Sequence, residues 1–182
     1  MKIAIDPGHG MSNRVPGKYD PGAVSNGVAE ADIALLVALT LKHVFTGAGI
    51  EVFLTRSDEN QECPIGKRAK RAQIAGCTHF ISLHCNAAIT FLASGTETFY
   101  RDSRDEDFAE LVQDVALKAW GFRDRGIKHE SQSQHKSLAI FGFDGPTCLL
   151  EMGFITNPAN RKMLLDRDAR IRFAVALMER LK

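Results

Sequence analysis

A chain of 182 residues, 45% hydrophobic and 25% charged, has the size and composition of one soluble globular domain, residues 1–182, with room for a substantial core. Lys and Arg number 23 against 22 Asp and Glu, a formal net charge of +1, which excludes the broad basic footprint of a nucleic-acid binder. No apolar run approaches the length of a bilayer span, so membrane insertion is excluded as well.

The chain opens with Lys2-Ile3-Ala4-Ile5-Asp6-Pro7-Gly8-His9-Gly10. This is a short apolar strand stopped by Asp-Pro-Gly, with one imidazole just beyond its end. A lone loop histidine is ordinarily satisfied locally, yet functional groups of open α/β sheets collect outside the carboxyl ends of strands. Met11 to Ala29 is rich in Gly, Pro, Asn, Ser and Asp and reads as a long irregular loop, a kind of segment that usually carries function. A helix is predicted from Glu30 to Thr46, with Ile33, Leu36, Val37, Leu41 and Val44 as its buried stripe and Gly47 and Gly49 ending it. Glu30, in the first turn, either complements the helix dipole or serves a site.

Glu51–Thr55 reads as the second strand, and Pro64–Ala75 as a helix whose run Lys67-Arg68-Ala69-Lys70-Arg71 forms a solvated face. His79–His84 is the third strand. Gly95–Tyr100 is a fourth, of edge character, and Asp105–Trp120 is a helix buried through Phe108, Leu111, Val112, Val115 and Ala119. Gly121 to Lys136 reads as irregular, and Leu138–Phe141 and Thr147–Leu150 as two short strands. Asn157 caps a short helix beginning at Pro158, and a last helix buries Ile171, Val175 and Met178. The alternation predicts an α/β three-layer sandwich. Its sheet is twisted, mixed and mostly parallel, of about six strands, with helices on both faces. Cys63, Cys77, Cys85 and Cys148 lack the spacing of a disulfide framework, and no signal peptide is visible, so synthesis in the cytoplasm is expected.

Three predicted strands end in ionisable groups: the first before His9, the third at His84, the last before Glu151. If these strands are parallel neighbours, the groups share one rim with Glu30. Two imidazoles and a carboxylate are what a catalytic zinc ion takes, and a second carboxylate beside its water would complete a hydrolase. His79 lies five strand steps, roughly 16 Å, from His84 and on the opposite face, so it is read as structural. His43, His129 and His135 are read as exposed, and Cys85 as facing away from His84. No Ser/His/Asp or Cys/His nucleophile pattern is present. The first Gly-rich turn has neither G-x-G-x-x-G nor a P-loop lysine.

The ordered set Asp6-Pro7-Gly8-His9-Gly10, Asp20-Pro21-Gly22-Ala23, Glu30, Leu54-Thr55-Arg56, Arg68, Ser82-Leu83-His84-Cys85-Asn86-Ala87, Gly95-Thr96-Glu97, Arg125-Gly126-Ile127-Lys128 and Leu150-Glu151-Met152-Gly153-Phe154-Ile155-Thr156-Asn157 resembles the zinc-dependent N-acetylmuramoyl-L-alanine amidases of the amidase-3 type. The resemblance implies Zn²⁺ held by His9, Glu30 and His84, with Glu151 as the catalytic carboxylate. It also implies peptidoglycan as the substrate, cleaved at the amide between N-acetylmuramic acid and L-alanine. Asp6 and Asn86 are read either as orienting the imidazoles or as turn formers. Arg125 and Lys128 either meet stem-peptide carboxylates or belong to a solvated loop. Some bacterial relatives carry an inhibitory helical insertion, for which Arg101–Glu106 is too short, so a constitutively open site is expected. A single domain of this kind resembles a phage or prophage endolysin, or a wall-remodelling enzyme reduced to its catalytic part, acting on the wall after release or export. Nucleic acid is not an expected partner, and a monomer is expected. A related zinc carboxypeptidase and a non-catalytic wall-binding module are the alternatives; the first needs a cationic pocket for a free C-terminus, and the second conflicts with the complete set of four site residues.

Overall fold

The run Ile3–Ile5 forms the middle of the first strand, and the sheet grows outward from it on both sides in the computed structural model, which describes residues 1–182. The sheet strands are β1 (Lys2–Pro7), β2 (Glu51–Leu54), β3 (His79–Asn86), β4 (Thr96–Tyr100), β5 (Asp124–His129) and β6 (Thr147–Phe154). Their spatial order is β2-β1-β3-β6-β4-β5. The first four in that order are mutually parallel; β4 is antiparallel to β6, and β5 is parallel to β4.

The five helices are α1 (Glu30–Gly47), α2 (Arg68–Ile74), α3 (Ser103–Trp120), α4 (Pro158–Leu165) and α5 (Arg167–Leu181). Alternation along each strand divides the core in two. Ile3, Ile5, Ile81, Leu83 and Leu150 face one side and pack with Val37 and Leu41 of α1, Phe108 and Val112 of α3, and Phe173 and Leu177 of α5. Ala4, Phe80, Phe99 and Leu149 face the other, against Ala69 and Ala72 of α2 and Ile140 and Phe141 of a 3₁₀ turn over Ala139–Gly142. Each fully buried large apolar side chain contributes about 1.5–3 kcal/mol, so both layers stabilise the sheet. Asp102, Asn157 and Asp166 cap α3, α4 and α5 with their side chains. No helix is long and apolar enough to cross a membrane.

Six strands form the sheet, but not the six that the periodicity predicts. Leu138–Phe141 is mostly the 3₁₀ turn, while Asp124–His129, read as irregular, is the edge strand β5. β4 lies inside the sheet between β6 and β5, so its predicted edge character is wrong. Its alternating polar side chains are instead paid into buried pairs: Thr98 Oγ1 donates to Gln113 Oε1 at 2.7 Å and Thr96 Oγ1 to the Met152 carbonyl at 2.9 Å. α5 buries Phe173, Ala174 and Leu177, leaving Ile171, Val175 and Met178 half-covered, and Leu36 of α1 is 39% exposed. The first loop contains two small ladders, Gly10–Met11 with Tyr19–Asp20 and Val24–Ser25 with Val28–Ala29. The second is closed by Asn26 and Gly27, both at positive φ (50° and 75°), as a type I′ turn requires.

One polar cluster sits inside the layers. The Asp6 carboxylate, fully buried, accepts hydrogen bonds from Arg68 Nη1 (2.8 Å), Ser82 Oγ (2.7 Å) and Thr55 Oγ1. It thereby ties β1 to β3, to α2 and to the end of β2. Arg68 is 2% exposed, so only part of the basic run on α2 is a solvated face. Burial alone would raise the Asp6 carboxyl; Arg68, Thr55 and Ser82 outweigh it and hold it below the usual carboxylate range. Replacing Asp6 by Asn leaves the Arg68 charge buried without its counter-ion and is expected to cost about 3–5 kcal/mol, read by urea unfolding. Because the folded carboxyl is depressed, this stabilisation is present above its unfolded value of about 3.9 and is lost as pH falls through the lower folded value. In the variant, that part of the acid sensitivity should disappear.

Candidate active site

The site begins where β1 ends. Pro7 lies in register with Leu83 of β3, and the Gly8 N–H donates to the Leu83 carbonyl at 3.0 Å. The next residue of β3 is His84, and its ring lies over Gly8 so closely that a Cβ there would come within 2.4 Å of His84 Cε1. Gly8 is therefore required by the approach of an imidazole. His9 follows at φ 59°, a left-handed conformation that a residue with a side chain adopts at a cost.

Two buried guanidiniums hold this turn. Arg56 donates to the carbonyls of Pro7 (3.1 Å), Gly8 (2.8 Å) and Ala31 (2.8 Å), linking the turn to the start of α1. Arg68 donates to the carbonyls of Pro7 (3.1 Å) and His9 (2.7 Å) and to Asn13 Oδ1 (2.9 Å). The backbone that carries His9 is thus fixed from below by charge-assisted bonds.

Glu30 opens α1, where Ala29 supplies no side-chain cap. Its carboxylate turns toward the strand ends. Oε1 accepts the Cys85 N–H at 3.0 Å and lies 3.0 Å from His9 Nε2 and 2.9 Å from His84 Nδ1; Oε2 accepts the Ala23 N–H at 3.0 Å. The two imidazoles meet edge to face, 5.0 Å apart. Ligand atoms of His9, Glu30 and His84 all lie within 4.8 Å of one another. The far side of His9 is held by Asp20, whose Oδ2 is 3.1 Å from Nδ1 and also accepts Asn13 Nδ2 at 2.6 Å. Gly22, at φ 67°, passes beneath: a Cβ there would be 2.6 Å from Glu30 Oε2 and 2.7 Å from His9 Cδ2. Burial disfavours a charged His9, but Glu30 and Asp20 outweigh it and raise its pKa. Burial also opposes ionisation of Glu30, and His84 and His9 more than reverse that. Two imidazole nitrogens and one carboxylate, converging beside side-chain-free Gly8 and Gly22, fit a catalytic zinc ion by donor type and by room.

Glu151 stands in β6 opposite His84 of β3 and opposite Glu97 of β4. Its Oε2 is shut off from solvent without a hydrogen-bond partner. Burial first, then the negative charges of Glu30 and Glu97, push its carboxyl well above the usual range. A carboxyl so placed holds a proton more tightly than a free one, the direction expected of a group that takes a proton in a reaction. Glu97 is the opposite case. It accepts Lys128 Nζ (2.5 Å), Arg125 Nε (2.6 Å) and Asn86 Nδ2 (2.8 Å), and the two cations overcome burial to lower its pKa.

His9, Glu30, His84 and Glu151 all line one cleft of about 500 Å³, with Asn86, Arg125 and Lys128 farther along it. Asp6 and Asn86 hydrogen-bond neither imidazole: Asp6 belongs to the buried Arg68 cluster, and Asn86 to Glu97. Arg125 and Lys128 are half-buried on β5 and paired with Glu97, so neither is part of a solvated loop. His79 packs edge-on against Phe108, 5.2 Å between centroids, away from the site. Asp20, Glu97 and Arg56 escaped the residue-level reading. A signal for Asp20 existed, because Asp20-Pro21-Gly22 repeats the tripeptide Asp6-Pro7-Gly8.

The family model for N-acetylmuramoyl-L-alanine amidase, amidase-3, matches residues 3–182, and the chain belongs to that family. It is 30% identical over 166 residues to the N-acetylmuramoyl-L-alanine amidase LytC of Bacillus subtilis (strain 168), covering 89% of this chain but 31% of LytC. With YqiI of the same organism it shares 29% identity over 180 residues, covering 97% of this chain and 81% of YqiI. The catalytic domain of CwlV, an N-acetylmuramoyl-L-alanine amidase from Bacillus (Paenibacillus) polymyxa var. colistinus, superposes with a TM-score of 0.84 at 30% identity, over 99% of this chain and 95% of that domain.

Replacing Asp20 by Ala frees the His9 ring to rotate. Zinc affinity, measured by calorimetric titration, is expected to fall about 10–100-fold while the thermal unfolding of the chain in chelator changes little.

Proposed function

We propose that residues 1–182 form one catalytic domain that hydrolyses the amide between the lactyl group of N-acetylmuramic acid and the L-alanine of the stem peptide in peptidoglycan. His9, Glu30 and His84 would hold Zn²⁺. The observation that carries this reading is the meeting of those three donors within 4.8 Å, with Glu151 in register beside His84. A zinc ion on three protein donors with an open position polarises a carbonyl and lowers the pKa of water toward about 7.

Glu151 then accepts a proton from the attacking water and passes it to the departing alanine nitrogen. Burial and the charges of Glu30 and Glu97 raise its carboxyl, the direction that makes it the stronger base of the site's carboxylates. Asp20 fixes His9 with Nε2 toward Glu30 by engaging Nδ1. The Cys85 and Ala23 N–H groups fix both oxygens of Glu30, so the carboxylate cannot swing away. The 130s loop and the residues around Glu97 both line the cleft, beside the four site residues. The connection from β4 to α3 is only Arg101-Asp102, consistent with a cleft that no helical insertion covers. Peptidoglycan is the partner in this reading, and cell lysis of the endolysin kind or wall remodelling would use the same bond cleavage.

Product analysis on purified cell walls tests the reaction. New N-terminal alanine on released peptides supports it; free amino acids from peptide C-termini would indicate a carboxypeptidase, and unaltered walls a binding module. Chelation should abolish cleavage, and added zinc should restore it. Glu151→Gln is expected to bind zinc as the parent does and to lose about 10²–10⁴ in turnover, whereas His84→Ala should lose both metal and turnover. Near-parental cleavage by Glu151→Gln rules out its assigned role.

A further inference from the structure

The cleft has more cations than its chemistry uses, and their partners differ. Arg68 is paired with Asp6, and Arg125 and Lys128 share the single carboxylate of Glu97. Arg14 lines the same cleft and pairs with no carboxylate; its Nη2 lies 3.3 Å from Nε2 of His135. It is the guanidinium in the cleft with no carboxylate partner.

The Arg14 side chain is exposed, but the backbone that carries it is held. Its neighbour Asn13 is 4% exposed and is fixed twice, by Arg68 on Oδ1 and by the Asp20 oxygen that also faces His9. Arg14 therefore follows directly on the residue that holds Asp20, the group that orients His9. Across from it, His135 sits on the loop Glu130–Leu138. The base of that loop is closed by Arg101, which pairs with Glu130 and donates to the carbonyls of Leu138 (3.2 Å) and Phe141 (2.7 Å). Glu130 in turn accepts the Leu138 N–H at 2.6 Å. At the tip of the loop Ser133 lines the cleft, and its Oγ is withdrawn from solvent with no hydrogen-bond partner. A guanidinium without a carboxylate partner and an unsatisfied hydroxyl lining the same cleft are complementary to one chemical group, a carboxylate.

We propose that Arg14, with Ser133 in the same cleft, is a carboxylate subsite that selects the stem peptide by the free carboxylate of the residue following L-alanine. It rests on the amidase reading above. In peptidoglycan that second residue is a glutamate linked through its side chain, so its α-carboxyl is either free or amidated. Arg14 would distinguish the two: the guanidinium fork accepts the carboxylate bidentately, and a carboxamide presents one acceptor and no charge. Arg125 and Lys128 are already committed to Glu97, at 2.6 Å and 2.5 Å, whereas Arg14 has no carboxylate to release before a ligand binds.

The test uses two soluble substrates, N-acetylmuramoyl-L-alanyl-D-glutamate with a free α-carboxylate and its α-carboxamide counterpart, with release of the alanine amine as the readout. The parent zinc enzyme is expected to show a KM roughly 10–100-fold lower for the carboxylate, the scale of a charge-assisted pair. Arg14→Gln should erase that preference by raising KM for the carboxylate alone, with kcat within about twofold; Arg14→Lys should keep part of it, and Ser133→Ala should weaken it severalfold. A parent enzyme that cleaves both substrates with equal KM, or an Arg14→Gln enzyme that keeps the parental preference, overturns the subsite and leaves the amidase reading standing. A parent enzyme that releases alanine amine from neither substrate, nor from cell walls, removes both.

Discussion

Two guanidiniums beneath one turn set the position of everything catalytic in this chain. Arg56 and Arg68 are almost wholly excluded from water, and together they donate to the carbonyls of Pro7, Gly8, His9 and Ala31. Burying two cations is costly, and it is tolerated because each is surrounded by oriented carbonyl dipoles and because Asp6 supplies a full counter-charge. The result is a backbone held in a conformation it would not choose. His9 is at positive φ, and Gly8 is pressed beneath His84. The ligand on β1 is thus aligned with the ligand on β3 by main-chain geometry before any metal is considered. Ala31 extends the same restraint to the first turn of α1, where Glu30 is found.

Three glutamates share the rim, and their partners divide their work. Glu30 is surrounded by two imidazoles and two backbone N–H groups, which favour its ionised form. Glu97 is satisfied by Arg125, Lys128 and Asn86. Glu151 lies between His84 and Glu97 in the sheet register, opposed by the charges of Glu30 and Glu97 and with one oxygen unpartnered. Carboxyls of the same type, a few residues apart in space, are driven to different protonation behaviour by what surrounds them, and that separation is how acid and base roles are distinguished. Glu97 therefore matters to Glu151 as a fixed neighbouring charge whose strength depends on how fully its two cations balance it.

Much of this was legible in the residues, for definable reasons. The strands β1, β2, β3 and β6 were legible as short apolar runs, but β3 and β6 run on past their predicted ends to Asn86 and Phe154, so Glu151 stands inside β6 and not after it. β5 was not legible, because Asp124-Arg125-Gly126-Ile127-Lys128-His129 is polar and its pairing with β4 is purely a tertiary fact. Leu138–Phe141 looked like a strand because a short apolar run has no period of its own. The Asn26-Gly27 turn was a readable hairpin signal hidden in a loop taken as irregular. The meeting of His9, Glu30 and His84 was readable from strand ends, whereas Arg68 read as solvent-facing because a basic run gives no sign of which member turns inward to an aspartate 62 residues away. Long-range partners such as Asp6 with Arg68, or Glu97 with Lys128, are set by the register of the sheet, and spacing along the chain carries no trace of it.

Because β4 runs against β3 and β6, the segment Ala87–Gly95 leaves the sheet at the catalytic rim and re-enters it there, with no crossover to complete. A segment tethered at two nearby points is under little topological tension. Lengthening it costs only the slow logarithmic growth of loop-closure entropy and moves no strand. Ile89, Phe91 and Leu92 on it are already turned outward. This margin is where descendants of the fold could acquire new contacts beside the cleft while the chemistry beneath stays unchanged.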